Sequence, residues 1–284
     1  MFYLFREGVA VGYGCNLTTI RPKIIPNATS WQGAMISTFF YDILNMTESG
    51  NQYGFDKTVD MDIDTHMLKN SEWGAVAYLT QSIYGSCTSS TSCTEIGINN
   101  NSSYVTGYGA PKGSNFSVTN GTYETSLGMN ASTTRNIYGV YDMSGGANEY
   151  VMGVYTEDSK KWSGYGRVFS SGMPGTGYVE SHSGFNGWLG SDGKNYTSGV
   201  DYPSDIKYYN LYRTSTNYLN SGLQHALTET NGWYGDTANF VSSTIPWFVR
   251  GGNYESSTSS GVFTFFRKDG SAANGLGSRS VLVK

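Results

Sequence analysis

Apolar residues recur at helical spacing in only two stretches of the chain. From Thr38 to Met46, the side chains of Phe39, Phe40, Ile43, Leu44 and Met46 make one broad face that stops before Gly50, which predicts a helix. From Asp64 to Tyr84, Met67, Leu68, Trp73, Val76, Ala77, Leu79 and Tyr84 repeat in a similar way behind Asp64 or Thr65 as a cap. Gly74 weakens the centre of this second stretch, so two short helices or one interrupted helix are expected. Elsewhere the apolar residues fall in short runs bounded by Gly, and these predict strands at Asn136 to Tyr141, Asn148 to Tyr155, Trp247 to Gly251, Gly261 to Phe266 and Ser278 to Val283. Ser, Thr, Asn, Gly and Tyr fill the stretches from about 86 to 135 and from 156 to 245. Loops of that length serve a function or pack on themselves. No fixed-period repeat is present, which argues against a solenoid or propeller.

Composition sharpens this picture. Gly supplies 37 of the 284 residues, against a usual share of roughly 7%. Aromatics make up 15% and charged residues 14%, where about 25% charged is typical. The chain therefore carries enough apolar mass to fold and has an unusually neutral surface, the reverse of a disordered sequence. A net charge of −4 with no basic stripe argues against nucleic acid as a partner. No apolar run approaches the roughly 20 residues of a membrane span, and the opening Met1 to Glu7 is too short for a secretory core.

Candidate chemistry is sparse. His66, His182 and His225 lie far apart in sequence, with no second His or Cys within four residues of any of them, so isolated structural histidines are expected. Asp60 to Asp64 begins like a calcium loop but has Thr65 in place of the turn Gly and Ser71 in place of the bidentate acid, so a solvated acidic turn is expected. No nucleophile elbow is present, and Gly172 to Gly177 lacks the Lys of a phosphate loop. Cys87 and Cys93, with five residues between them, read as a small disulfide ring or as two free thiols, and Cys15 as a buried small hydrophobe.

Three segments carry a resemblance. Asn70 to Tyr78, containing Glu72-Trp73-Gly74-Ala75-Val76-Ala77, is similar to the EW-x-x-A-A segment of the formylglycine-generating enzyme (sulfatase-modifying factor) family. Gly139 to Tyr150 resembles that family's GLYDM-x-GNVWEW signature. Val249-Arg250-Gly251-Gly252-Asn253-Tyr254, followed by Gly277-Ser278-Arg279-Ser280, resembles its closing RGGSW and GFR pair. The resemblance spans roughly residues 30 to 284 and implies one α+β domain of C-type-lectin-like fold, loop-rich with a small antiparallel sheet, behind an N-terminal segment at 1–29. The family's oxidases bind copper through a pair of cysteines near the C-terminus. The stretch from Trp247 to Lys284 contains no Cys, so no oxidase activity is expected.

That last stretch also resembles the variable proteins of diversity-generating retroelements, which share the lectin-like fold and rewrite a C-terminal repeat at adenines. The resemblance implies a fixed frame at Arg250, Gly251, Gly252, Gly261, Gly277 and Arg279. It also implies an exposed ligand-binding face made of Phe248, Tyr254, Ser256, Ser257, Thr258, Ser259, Thr264, Phe266, Arg267, Asp269 and Asn274. Aromatics mixed with small hydroxyls suit adaptable recognition. Glu255 and Lys268 cannot arise from an Asn codon by adenine changes alone, and so belong to fixed positions or to another codon. The expectation is a non-enzymatic binder on a bacterial surface or phage particle. Its ligand is a protein or a carbohydrate, it needs no cofactor, and structural calcium is left open. A structural surface or pilus-tip subunit and a divergent metal-dependent enzyme are the alternatives.

Overall fold

The computed structural model describes residues 2–3, 30–50, 55–100, 125–155, 169–170, 188–189, 195–196, 199–200, 206–212, 230–242, 245–271 and 273–283. Its strands are β1 (Phe2–Tyr3), β2 (Asp64–Met67), β3 (Cys87–Ser89), β4 (Ser92–Cys93), β5 (Asn148–Tyr155), β6 (Phe169–Ser170), β7 (Trp188–Leu189), β8 (Asn195–Tyr196), β9 (Gly199–Val200), β10 (Asn210–Tyr212), β11 (Trp247–Arg250), β12 (Phe265–Lys268) and β13 (Leu276–Val283). Two helices accompany them, α1 (Ile36–Leu44) and α2 (Asn70–Thr80). The fold is α+β and rich in loops. Among the described residues no helix is long and apolar enough to cross a membrane.

The main sheet runs β1-β13-β5-β11-β12, with β2 also on β13 and β10 also on β5. It is mixed, which corrects the expected antiparallel sheet. β11 is antiparallel to β5 and β12, whereas β13 and β10 are parallel to β5. Successive partners dock along one side of β5. Leu276 to Ser278 of β13 pair with Asn148 to Tyr150, the Met152 N–H donates to the Leu68 carbonyl at 2.8 Å, and β10 takes Gly153 to Tyr155. Leu68 also donates to the Arg279 carbonyl at 2.9 Å, so the end of β2 wedges into the gap where β13 leaves β5.

Both faces of this sheet are covered, which explains why β5 and β11 read as nearly unbroken apolar runs. Tyr150, Met152, Val154, Trp247 and Val249 point to one side and join Phe39, Phe40 and Ile43 of α1. Val151, Tyr155 and Phe248 point to the other and join Trp73 and Ala77 of α2. The alternation follows from the two-residue repeat of a strand. At the start of α1 the Ile36 N–H donates to the Gly270 carbonyl at 3.1 Å.

Gly153 sets how closely α2 approaches. A Cβ there would stand 2.7 Å from Asn70 Cβ and 3.1 Å from Phe248 Cδ2. Gly153→Ala is therefore expected to push the helix off the sheet and cost about 1–3 kcal/mol, the usual range for overpacking a core. A chemical denaturation midpoint within error of wild type contradicts this.

Four sequence expectations change. The Asp64 to Tyr84 stretch divides into β2 and α2, because Asp64 to Met67 pair with Val283 to Ser280. Gly74 does not interrupt α2, since it faces open space. Asn136 to Tyr141 is a turn, in which Asn136 Oδ1 accepts from the Tyr138 N–H at 2.8 Å and from Thr134 Oγ1 at 2.9 Å. Gly261 to Thr264 is also a turn, folded around the buried Asp236 carboxylate, which accepts from the Phe263 N–H at 3.1 Å. The strand there starts only at Phe265.

Candidate binding surface

The three motif segments meet at one buried indole. Trp73 is fully enclosed, and its Nε1–H donates to the Val262 carbonyl at 2.7 Å. The guanidinium carbons of Arg250 and Arg279 lie 5.7 and 5.8 Å from its ring centre. Cations at this distance from a ring are attracted by its π electrons. Arg279 grips Glu149 with two bonds, Nε to Oε2 at 2.5 Å and Nη2 to Oε1 at 2.7 Å, and also donates to the carbonyls of Tyr141 at 2.8 Å and Asp142 at 2.5 Å.

Arg250 is buried, as a residue of the fixed frame should be. Its Nε and Nη1 have no hydrogen-bond partner among the described residues, and its charge sits between the rings of Trp73 and Phe265. Burial pulls its pKa down to about 10, with Tyr212, Asp236 and Tyr78 opposing the fall, so it stays charged at neutral pH.

Two Gly-Gly turns fix the loop that follows β11. Gly145, Gly146, Gly251 and Gly252 all have left-handed φ, between 69° and 84°. At Gly251 a side chain would also strike the Trp73 ring and the Met143 carbonyl. The turns are laced together, since the Gly145 N–H donates to the Gly251 carbonyl at 3.0 Å and the Tyr254 N–H to that of Gly146 at 2.9 Å.

From this anchor the chain runs out to a short 3-10 turn, Ser257–Ser259. Ser260 Oγ donates back to the Asn253 carbonyl at 2.8 Å, and Ser256 Oγ to Asn253 Oδ1 at 2.5 Å. The Ser259 carbonyl accepts from the Thr237 N–H at 3.0 Å, which draws a second 3-10 turn, Trp233–Gly235, alongside. Trp233, Tyr234 and Tyr78 of α2 surround buried Phe263, with centroids 4.9, 6.3 and 5.9 Å from its ring. All three stay 38–39% exposed. Tyr234 holds a left-handed φ of 57° and donates its hydroxyl to Gln81 Oε1 at 2.6 Å.

The expected recognition residues separate on this frame. Ser257 and Thr258 are exposed, while Tyr254, Ser256 and Ser259 are half-buried beside them. Phe248 and Thr264 do not face solvent, at 0% and 1% exposure. Phe248 is enclosed because α2 covers its side of β11, and Thr264 because its Oγ1 donates inward to the Ser259 carbonyl at 2.7 Å. Phe266 lies on the opposite side of the sheet, packed against the α1 core. Arg267 is half-buried with Nη1 donating to the Phe240 carbonyl at 3.3 Å. Asp269 Oδ1 accepts from the N–H and hydroxyl of Ser271 at 3.0 and 2.6 Å, in the loop that meets α1, and Asn274 is exposed in the turn before β13.

Phe248, Thr264 and Phe266 therefore do not share a solvent face with Ser257 and Thr258. Tyr78, Trp233 and Tyr234 were missed. The signal was Gly232-Trp233-Tyr234-Gly235, an aromatic pair between two turn formers.

Cys87 and Cys93 form a disulfide across the β3–β4 hairpin. Among the described residues no group of three or more His, Cys, Asp or Glu is placed to hold a metal. His182, His225 and Cys15 lie outside the described residues.

His66 is buried between two carboxylates, with Nδ1 2.8 Å from Asp64 Oδ2 and Nε2 3.0 Å from Glu72 Oε1. Burial disfavours its charge, but the bonds and charges of Asp64 and Glu72 outweigh it and raise its pKa from 6.5 to about 9. The imidazolium ties β2 to the first turn of α2, where Glu72 also accepts from the Lys69 N–H at 2.8 Å. Because the folded pKa lies above the unfolded one, this stabilisation is complete below pH 6.5 and is lost as the pH climbs through about 9. Between about pH 6 and about pH 10, wild type should lose roughly 2 kcal/mol more stability than His66→Gln, allowing for the solvent at Asp64. Parallel urea curves for the two proteins across that range contradict this.

Compared with known proteins, the chain matches no family model and no curated protein.

Proposed function

We propose that this chain is a non-catalytic ligand-binding protein of C-type-lectin-like fold, displayed on a bacterial surface or phage particle and diversified by a retroelement. The observation that carries the reading is the contrast within 250–260. Arg250, Gly251 and Gly252 are buried in a laced frame. A few residues on, the small hydroxyl residues Ser257 and Thr258 project into solvent beside exposed aromatic rings. Such a loop can change its side chains without disturbing the core, which is what a rewritten recognition segment requires. Function resides in such sites rather than in the fold.

The decisive test is genomic. A reverse-transcriptase gene should lie near the coding sequence with a template copy of the segment for about 247–284. Differences between template and copy should fall at adenines in codons for surface positions such as Tyr254 and Ser256 to Ser259, and spare those for Phe248 and Thr264. Absence of any template, or differences spread evenly over buried and exposed codons, overturns the reading.

A further inference from the structure

We propose that Trp233, Tyr234 and Tyr78 form a stacking platform for an uncharged oligosaccharide, with Gln81, Ser257 and Thr258 as its polar rim. This rests on the reading of the chain as a ligand-binding protein and names the ligand class at that surface.

The rings are fixed before any ligand arrives. Trp233 and Tyr78 meet Phe263 edge-on, at 66° and 71°, and Tyr234 lies nearly parallel to it, at 17°. Side chains already held by packing lose little freedom on binding. Tyr234 occupies its outward position at the cost of a left-handed backbone, between Gly232 and Gly235, which also have left-handed φ. Strain of this kind in a non-Gly residue concentrates where a side chain contacts something.

The chemistry of the surface selects the ligand. No ionised side chain occurs from Trp73 to Thr94 or from Ser256 to Phe266. The charges that act on Tyr234 belong to Glu95 and Asp236, both acids, and Arg250, whose charge interacts with Tyr78 and Asp236, is buried, which disfavours sialylated or sulfated sugars at this surface. What remains is aromatic faces alternating with neutral amide and hydroxyl groups. That alternation matches a hexose ring, whose C–H faces pack on the electron-rich face of an aromatic ring while its hydroxyls bond at the edge.

The three rings expose on the order of 200 Å², well short of the roughly 800 Å² per partner of a stable protein interface. A protein would also need Leu79, Ile83 and Tyr84, which are exposed at the same end of α2.

The test screens the purified full chain on an array of neutral, sialylated and sulfated oligosaccharides, then titrates the neutral compound with the strongest signal by tryptophan fluorescence or calorimetry. Trp233→Ala and Tyr234→Ala should each weaken binding by about tenfold or more, while Tyr234→Phe, Leu79→Asp and Val59→Ser, the last at an exposed position in the turn between α1 and β2, stay within about threefold. Melting temperatures of all five variants separate lost binding from lost folding.

The proposal is overturned if the wild-type chain binds no neutral oligosaccharide, if folded Trp233→Ala and Tyr234→Ala bind as well as wild type, or if folded Leu79→Asp loses sugar binding as completely as Trp233→Ala, which would place the sugar on the apolar surface of Leu79 rather than on the three rings. A template repeat in the genome together with any of these results overturns the sugar assignment and leaves the diversified-binder reading standing.

Discussion

Arg279→Ala is expected to destabilise the protein by roughly 3–5 kcal/mol, because it leaves Glu149 as an uncompensated charge in the interior. Both side chains are 1% exposed, so water cannot take over the lost partner. The carbonyls of Tyr141 and Asp142 lose their donors in the same step. A loss of this size approaches the whole stability of a typical domain, so the variant should be largely unfolded at temperatures where wild type is intact. Removing both charges together should hurt less. Glu149→Met with Arg279→Met restores packing without an orphan ion, and should recover part of the loss. Urea denaturation of the two proteins beside wild type is the measurement. A double variant no more stable than Arg279→Ala would show that the pair contributes more than its mutual neutralisation.

Trp73→Ala should be comparably severe, at about 3–5 kcal/mol for the cavity alone. The indole is also the neighbour of two buried guanidinium groups and the donor to Val262. Trp73→Phe keeps a ring and removes only the N–H and some volume, so it should cost less, about 1–3 kcal/mol. The comparison separates ring from hydrogen bond. Equal losses in the two variants would assign the whole effect to the Val262 bond and none to the ring.

How much of this was legible depended on whether a pattern was local. α1, β5, β11 and β13 were legible because each buries side chains on a regular period and is bounded by glycine or a turn. β2 was not, since Asp64 to Met67 become a strand only by pairing with residues more than two hundred positions later. The frame residues could be named from their motifs, but the sequence did not reveal that Arg279 takes the carbonyls of Tyr141 and Asp142. In the tail, Ser257 and Thr258 are exposed as their small hydroxyl side chains suggested. Phe248 was misplaced because a strand's alternation shows that two faces differ, and does not show whether the second is covered. The aromatic trio escaped notice because exposure of a ring is a tertiary property, decided here by the approach of the 233–235 turn to α2.

The docking of several segments along one side of β5 governs how the chain can fold. Residues 148–155 meet Leu68 from one direction in sequence and Asn210, Trp247 and Leu276 from the other. These pairings close loops of some sixty to more than a hundred residues, and non-local topologies of this kind fold slowly. During synthesis, β5 would leave the ribosome well before β13, with one edge still open. An unpaired apolar strand edge is a site for aggregation. Yield in a heterologous host should therefore be limited by protection of that edge during translation, and slower growth or added chaperone should improve it more than any change to the exposed loop at 255–258.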